Sequence, residues 1–109
     1  MNMLKVLVIE PDKAPRVDLI EDSLSAKQEV VGGLIELTTP LMHPDDAVLI
    51  CNEEGKLLGL PYNRMLTLEN GIPYDVIAGT FFIVRAPFDS DGFESLTDKQ
   101  IEFYSQMYA

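Results

Sequence analysis

The sequence predicts a single α+β domain over residues 1–109, with a mostly antiparallel sheet of about five to six strands and two helices packed on it. Short runs of apolar and β-branched residues recur along the chain, which is typical of strands. Gly, Pro and Asn separate these runs by short breaks, which favour antiparallel neighbours. Helical spacing occurs in two stretches, 23–31 and 96–108.

The N-terminal half supplies the first pair of strands. Residues 4–9 (LKVLVI) begin with alternation and predict a central strand that is covered on both faces. Residues 16–21 predict a second strand, and the short break between the two runs favours antiparallel pairing. Residues 34–38 predict a further strand after the first helix.

The first predicted helix carries signals at both ends. Either Ser23 or Ser25 can serve as its N-cap, and Ser25 with Gln28 fits a capping box. Gly32-Gly33 ends the helix, because a glycine there can adopt the left-handed conformation.

The second predicted helix has a clearer pattern. Thr97 is its predicted N-cap and Gln100 the capping-box partner. Apolar side chains recur on one face, and this stripe indicates core packing rather than a binding face. The stripe consists of Ile101, Tyr104, Met107 and Tyr108.

The middle of the chain predicts the hairpin around which the sheet is organised. Residues 47–60 fit a β-hairpin with the loop Asn52–Gly55, in which Gly55 supplies positive φ. Pro61 ends the hairpin because it has no backbone donor. The polar and aromatic cluster Tyr62-Asn63-Arg64 follows directly.

The segments after this cluster are less determined. Residues 65–68 fit either a strand or a helix, and residues 73–79 fit either a short strand or one helical turn. Asn70-Gly71 is a strong turn signal. Residues 80–85 predict a strand, since they are rich in aromatic and β-branched side chains.

Composition limits the function classes. The net charge is −10, from 18 acidic and 8 basic residues, which argues against general nucleic-acid binding. The acidic balance favours solubility and also permits a surface that imitates DNA. No apolar run is long enough to span a bilayer, and the N-terminus lacks the layout of a signal peptide, so we expect a cytoplasmic protein without membrane association.

Catalytic and metal-binding patterns are weak. His43 lies in the loop 39–44 and Cys51 in a predicted core strand, so neither a Cys–His pair nor a zinc site is expected. Asp89–Glu94 lacks the spacing of a calcium loop. The pairs Asp45-Asp46 and Glu53-Glu54 are expected to be solvated turns. We therefore predict no enzyme activity, no metal and no cofactor.

Arg64 is the best candidate for ligand recognition. Its planar guanidinium suits phosphate or carboxylate, and Asn63 can pair with an amide or a base edge. Tyr62 can stack on a ring. The alternative is that Arg64 makes a surface ion pair with one of the many carboxylates.

Five segments together resemble a family of uncharacterised proteins, domain of unknown function 3846. They are residues 4–11 (LKVLVIEP), 30–37 (VVGGLIEL), 50–64 (ICNEEGKLLGLPYNR), 74–84 (YDVIAGTFFIV) and 94–104 (ESLTDKQIEFY). The resemblance covers nearly the whole chain and transfers no catalytic residue. It implies a small cytoplasmic protein of phage or mobile-element origin.

This context favours a non-catalytic binding protein. One hypothesis is a counter-defence sponge that sequesters a (cyclic) nucleotide signal, with a homo-oligomer completing the site. Its expected ligand-binding residues are Asn52, Tyr62, Asn63, Arg64, Thr80 and Phe82. Arg64→Ala should then abolish ligand binding and leave the fold intact. The alternative is an acidic protein–protein inhibitor or DNA mimic that acts on a host defence enzyme, and a hydrolase ranks last.

Overall fold

The computed structural model describes residues 2–38, 45–68 and 70–109. Within these ranges the chain forms strands and helices in an α+β arrangement, as predicted. The elements are β1 (Met3–Ile9), β2 (Arg16–Glu21), α1 (Leu24–Val31), β3 (Ile35–Thr38), β4 (Ala47–Asn52), β5 (Tyr62–Thr67), β6 (Pro73–Ala78), β7 (Phe81–Arg85) and α2 (Asp98–Met107). The predicted loop 39–44, with His43, lies outside the described residues.

The main sheet has five antiparallel strands in the order β2-β1-β7-β4-β3. The predicted pairing of β1 with β2 is confirmed, with Leu7 opposite Val17 and Lys5 opposite Leu19. β7 inserts between β1 and β4, so the strand richest in aromatic and β-branched residues occupies the centre. All four side chains from Phe81 to Val84 are buried, as both faces of this strand are covered.

Alternation along β1 divides the core into two clusters, which confirms a central strand covered on both faces. Leu7 and Ile9 pack on one face, beneath α2 and the β5–β6 hairpin. Val6 and Val8 pack on the other face, beneath α1. The sheet therefore lies between two layers, and each layer covers its own apolar face.

β5 and β6 form a separate two-stranded sheet. The predicted Asn70-Gly71 turn joins them: Gly71 has φ 84° and donates its N–H to the carbonyl of Leu68. Both ambiguous segments are strands, since pairing with each other satisfies their backbone groups. Leu66 and Ile77 point from this hairpin into the core of the main sheet.

The predicted return strand at 56–60 is wrong. After β4 the chain coils through a turn over residues 53–59, and the N–H of Leu58 bonds the carbonyl of Glu54 at 2.8 Å. Gly59, rather than Gly55, has positive φ, at 71°. Gly55 is required for a different reason, because a Cβ there would collide with the carbonyl of Ala78. This tertiary contact, rather than a hairpin loop, determines the local path of the chain.

The helix caps follow the sequence in most respects. Ser23 is the N-cap of α1 and accepts a hydrogen bond from the N–H of Ala26 at 3.1 Å, so the alternative start at Ser25 with its capping box is wrong. Gly32 ends α1 in the left-handed conformation. The capping box of Thr97 with Gln100 is confirmed. The predicted stripe of α2 packs against the core as expected.

Candidate functional site

Arg64 is held by backbone carbonyls instead of being presented to solvent. Its Nε donates to the carbonyl of Tyr108 at 2.8 Å, and its Nη1 donates to the carbonyl of Glu10 at 3.2 Å. Nη2 donates to the carbonyl of Lys13. The guanidinium therefore ties β5 to the β1–β2 connection and to the C-terminal residues, a role that neither interpretation of the sequence included.

Asn63 extends the same clamp. Its Nδ2 donates to the carbonyls of Ile9 at 2.9 Å and Gly79 at 3.0 Å, and its Oδ1 accepts from Arg64 at 2.8 Å. The amide therefore links β1, the β6–β7 turn and β5. Its hydrogen-bonding groups are engaged in holding the fold.

Asn52 is buried and has a comparable structural role. Its Nδ2 donates to the carbonyl of Val31 at the end of α1, at 3.2 Å. Its Oδ1 accepts from the N–H of Glu54 at 2.8 Å and so begins the turn after β4. The sequence signal was present, since Asn commonly starts such turns, but its tertiary partner was not evident.

The remaining predicted residues lie on different surfaces. Phe82 is fully buried in the cluster beneath α1. Thr80 lines a groove between α1 and the β1–β2 pair, whereas Tyr62 is 70% exposed at the start of β5. The structure therefore does not bring all six predicted residues together.

The groove with Thr80 has a volume of about 550 Å³ and carries Arg16. Arg16 hydrogen-bonds Glu10 and Asp18, each at 3.1 Å. Hydrogen bonds from Lys13 and then Arg16 lower the pKa of Glu10. Arg16 already has two anionic partners, so the groove offers little positive charge to a phosphate.

A second concavity, which we name the Cys51 cleft, lies where the β5–β6 hairpin meets the β3–β4 side of the main sheet. Its volume is about 300 Å³. Glu36 of β3 and Cys51 of β4 are paired across the strands and face the cleft together. Leu66 and Ile77 supply apolar surface from the facing hairpin.

Negative charge dominates the rim of the Cys51 cleft. Among its described lining residues are four carboxylates and one ammonium group, that of Lys56. The carboxylates belong to Glu36, Glu53, Glu54 and Asp75. Lys56 hydrogen-bonds Asp75 across the mouth, and this bond is the main cause that raises the pKa of Lys56 and lowers that of Asp75. Three carboxylates are left without that compensation.

The thiol on the cleft wall is kept neutral. Desolvation, and next the negative charge of Glu36, raise the pKa of Cys51 to about 11. A neutral thiol is a poor nucleophile, and it behaves as a small apolar group. Cys51 therefore adds apolar surface to the Cys51 cleft.

An exposed apolar lip borders the same cleft. Leu57 lines the cleft and is 85% exposed, and its neighbour Leu58 is 60% exposed. Both lie in the turn that the sequence predicted as the return strand of a hairpin. A lip of this kind beside a charged rim is suited to contact with another molecule.

Asp45 and Asp46 form a polar cluster that sequence reasoning missed. Gln100 donates to both carboxylates, at 3.2 Å and 2.8 Å, and the Tyr104 hydroxyl donates to Asp45 at 3.0 Å. Arg85 pairs with Asp46 at 3.1 Å. Burial, followed by the charge of Asp45, raises the pKa of Tyr104 strongly. Asp45 is exposed, as expected for a solvated turn, but its carboxylate and that of the half-buried Asp46 also fasten α2 to the start of β4.

Other site types receive little support from the described ranges. Within them, no group of three or more His, Cys, Asp and Glu side chains could hold a metal ion. Glu53 and Glu54 are exposed in a turn, as expected. No helix in the described part of the chain is both long and apolar enough to cross a membrane.

Comparison with known proteins gives one match. A family model described as a domain of unknown function (DUF3846) matches residues 3–109. No curated protein and no solved structure matches the chain. The matched region contains every described helix and strand, the whole Cys51 cleft and the five segments that resemble the family. The chain therefore belongs to the DUF3846 family.

Proposed function

We propose that this protein is a non-catalytic binding protein whose partner is a protein with a basic surface. The observation that carries the proposal is the Cys51 cleft, where uncompensated carboxylates surround an apolar wall and an exposed leucine lip. Complementary charge speeds the encounter of two proteins, and apolar contact contributes to the stability of the complex. The net charge of −10 adds a general attraction for basic partners.

Sequestration of a (cyclic) nucleotide is the competing proposal. A phosphate needs free cationic or N–H donors, and Arg64 donates to three backbone carbonyls instead. A nucleotide would have to displace these bonds, which also hold the fold. The acidic alternative therefore has the stronger support. In a phage or mobile-element setting, the protein would act as an inhibitor or a DNA mimic, and its target would be a host defence enzyme.

Two measurements on the full chain test the proposal. The first is a thermal-shift screen with linear and cyclic nucleotides, followed by mass spectrometry of the recovered ligand. We expect no stabilisation. A clear shift with unchanged nucleotide would favour sequestration, and an altered nucleotide would favour an enzyme.

The second measurement is affinity capture from host lysate at low and high salt. We expect a basic protein to be retained at low salt and released at high salt. The variant Glu36→Gln/Glu53→Gln should lose the partner, whereas Glu29→Gln/Glu102→Gln, with the same change in net charge, should retain it. Salt-insensitive capture would contradict the proposal.

Separately, we propose that the protein forms a homo-oligomer. The outer strand β2 carries Val17 and Leu19, which are 49% and 59% exposed. The N–H of Leu19 already bonds the side chain of Asp18 at 2.8 Å, which protects this edge against the addition of another strand. An oligomer would therefore form through side chains. Sedimentation velocity tests this, and a monomer at about 100 μM, where weak self-association should be visible, would refute it.

A further inference from the structure

We propose that the Cys51 cleft binds the side chain of a lysine from the protein partner, with the aliphatic stem on the apolar wall and the ammonium among the rim carboxylates. This inference rests on the proposed function, because it names the chemical group by which the basic partner is recognised. The cleft would hold a single residue of that partner, and the leucine lip would contact the surface around it.

The wall of the cleft suits the stem of a lysine. Leu66 and Ile77 are nearly fully buried and present only small apolar areas to the cleft, beside the neutral Cys51. Long charged side chains bury their methylene groups against apolar surface while the charged end stays near water. An apolar wall beside an acidic rim matches this division.

The rim favours an ammonium over a guanidinium. Its carboxylates come from separate elements: Glu36 from β3, Glu53 and Glu54 from the turn, and Asp75 from β6. An ammonium group carries three N–H donors that point in different directions, so it can serve several separate acceptors. A guanidinium is a planar fork that best fits one carboxylate with both of its oxygens.

The existing pair of Lys56 with Asp75 already shows the chemistry on a smaller scale. Lys56 spans the mouth of the cleft from the turn to β6. It uses one of the four carboxylates and lowers the negative charge that an incoming cation meets. Lys56 is therefore an internal competitor, and removing its charge should improve binding.

Size and charge argue against a nucleotide in this cleft. A volume of about 300 Å³ lies at the lower end of the range for ligand pockets. The surplus of carboxylates would repel a phosphate.

The test is an NMR titration of the ¹⁵N-labelled full chain with blocked pentapeptides of the form acetyl-Gly-Gly-X-Gly-Gly-amide. X is lysine, Nε-acetyl-lysine or arginine. We expect the lysine peptide to shift amide signals from residues 52–57 and from Glu36 and Val76. The arginine peptide should bind more weakly, and the acetyl-lysine peptide should leave these signals unchanged.

Removing a negative or a positive charge from the cleft should change the affinity for the lysine peptide in opposite directions. Glu36→Gln should weaken binding of the lysine peptide about two- to fivefold, and Lys56→Gln should strengthen it by a similar factor, as expected for partly exposed ion pairs. Glu102→Gln and Lys99→Gln make the same net-charge changes on α2, outside the cleft. Because salt screens charges at long range, each should change the affinity for the lysine peptide less than about 1.5-fold. All four positions are exposed, so a dispersed spectrum is expected for each variant.

Several results would overturn the inference. They are equal binding of the acetyl-lysine peptide, binding of the arginine peptide as tight as that of lysine, shifts outside the cleft, and identical effects of Lys56→Gln and Lys99→Gln. Binding of 1,5-diaminopentane without binding of the lysine peptide would assign the cleft to a free amine instead. Capture that is lost in the Glu36→Gln/Glu53→Gln variant, while the lysine peptide leaves the cleft signals unchanged, would leave the proposed function standing and remove only this inference.

Discussion

Replacing Arg64 by alanine should destabilise the fold rather than remove a ligand contact. Arg64 makes three hydrogen bonds to backbone carbonyls; those to Tyr108 and Glu10 are partly buried, and the one to Lys13 is exposed. Hydrogen bonds from a charged donor contribute roughly 1.5–3 kcal/mol each, and carbonyls that water can reach recover part of the loss. Counting the two partly buried bonds at the lower value gives a cost of about 3 kcal/mol.

The measurement is urea unfolding followed by far-ultraviolet circular dichroism, with thermal melting beside it. For a domain of this size, a loss of 3 kcal/mol corresponds to a fall in Tm of about 10–15 °C. Arg64→Lys should recover only a part of the loss, because one ammonium cannot reach the carbonyls of three separate residues as the guanidinium does.

Arg16→Ala is the matched control. Arg16 is an exposed arginine with two surface ion pairs, to Glu10 and Asp18, so its removal should cost less than about 1 kcal/mol. If Arg64→Ala unfolds with the same free energy as the unaltered chain, within about 0.5 kcal/mol, the assignment of Arg64 as a structural clamp is refuted. The expectation of an intact fold with lost ligand binding would then regain its force.

Three further predictions concern the interior of the protein. Gly55→Ala should lower the free energy of unfolding by about 2 kcal/mol, because its Cβ would collide with the carbonyl of Ala78; an unchanged urea midpoint would contradict this. Asp22→Ala should cost more in the same assay than Lys27→Met, since it leaves the buried ammonium of Lys27 without its carboxylate, and the reverse order would refute the argument. Cys51 should be alkylated by iodoacetamide at pH 8 roughly a hundredfold more slowly in the native chain than in urea, because its pKa is raised to about 11; equal rates, read by mass spectrometry, would exclude this.

Local chemistry made much of the fold predictable. Alternation in β1 and the short break before β2 led to the observed antiparallel pair. The Asn70-Gly71 turn and the Thr97 capping box were read correctly because each signal lies within a few neighbouring residues. Such features depend on the preferences of the backbone nearby, so they need no knowledge of the tertiary structure.

The turn after β4 and the clamp of Arg64 depend on distant parts of the chain. The path of residues 53–59 is set by the approach of Gly55 to Ala78, which no local pattern records. The carbonyl partners of Arg64 lie 44 to 54 residues away in sequence. From the sequence alone, a structural arginine of this kind cannot be told apart from a ligand-binding one. Similarly, nothing beside Asp45 indicates that Tyr104 would donate to it. The sequence therefore predicted a ligand site at Asn63 and Arg64, whose hydrogen-bond partners are groups of the protein itself.

The β5–β6 hairpin carries both residues that stabilise the fold and a residue of the proposed binding cleft. Its strand β5 carries Asn63 and Arg64, which anchor the hairpin to β1 and the C-terminal residues. Its strand β6 carries Asp75, which faces the Cys51 cleft. The anchors thus determine where the hairpin lies, and the position of the hairpin determines the width of the cleft. The anchors are internal, whereas the carboxylates of the cleft are exposed. A variant of Asp75 should therefore alter the affinity for the lysine peptide without changing the free energy of unfolding. A variant of Arg64 should alter this affinity only to the extent that the hairpin detaches.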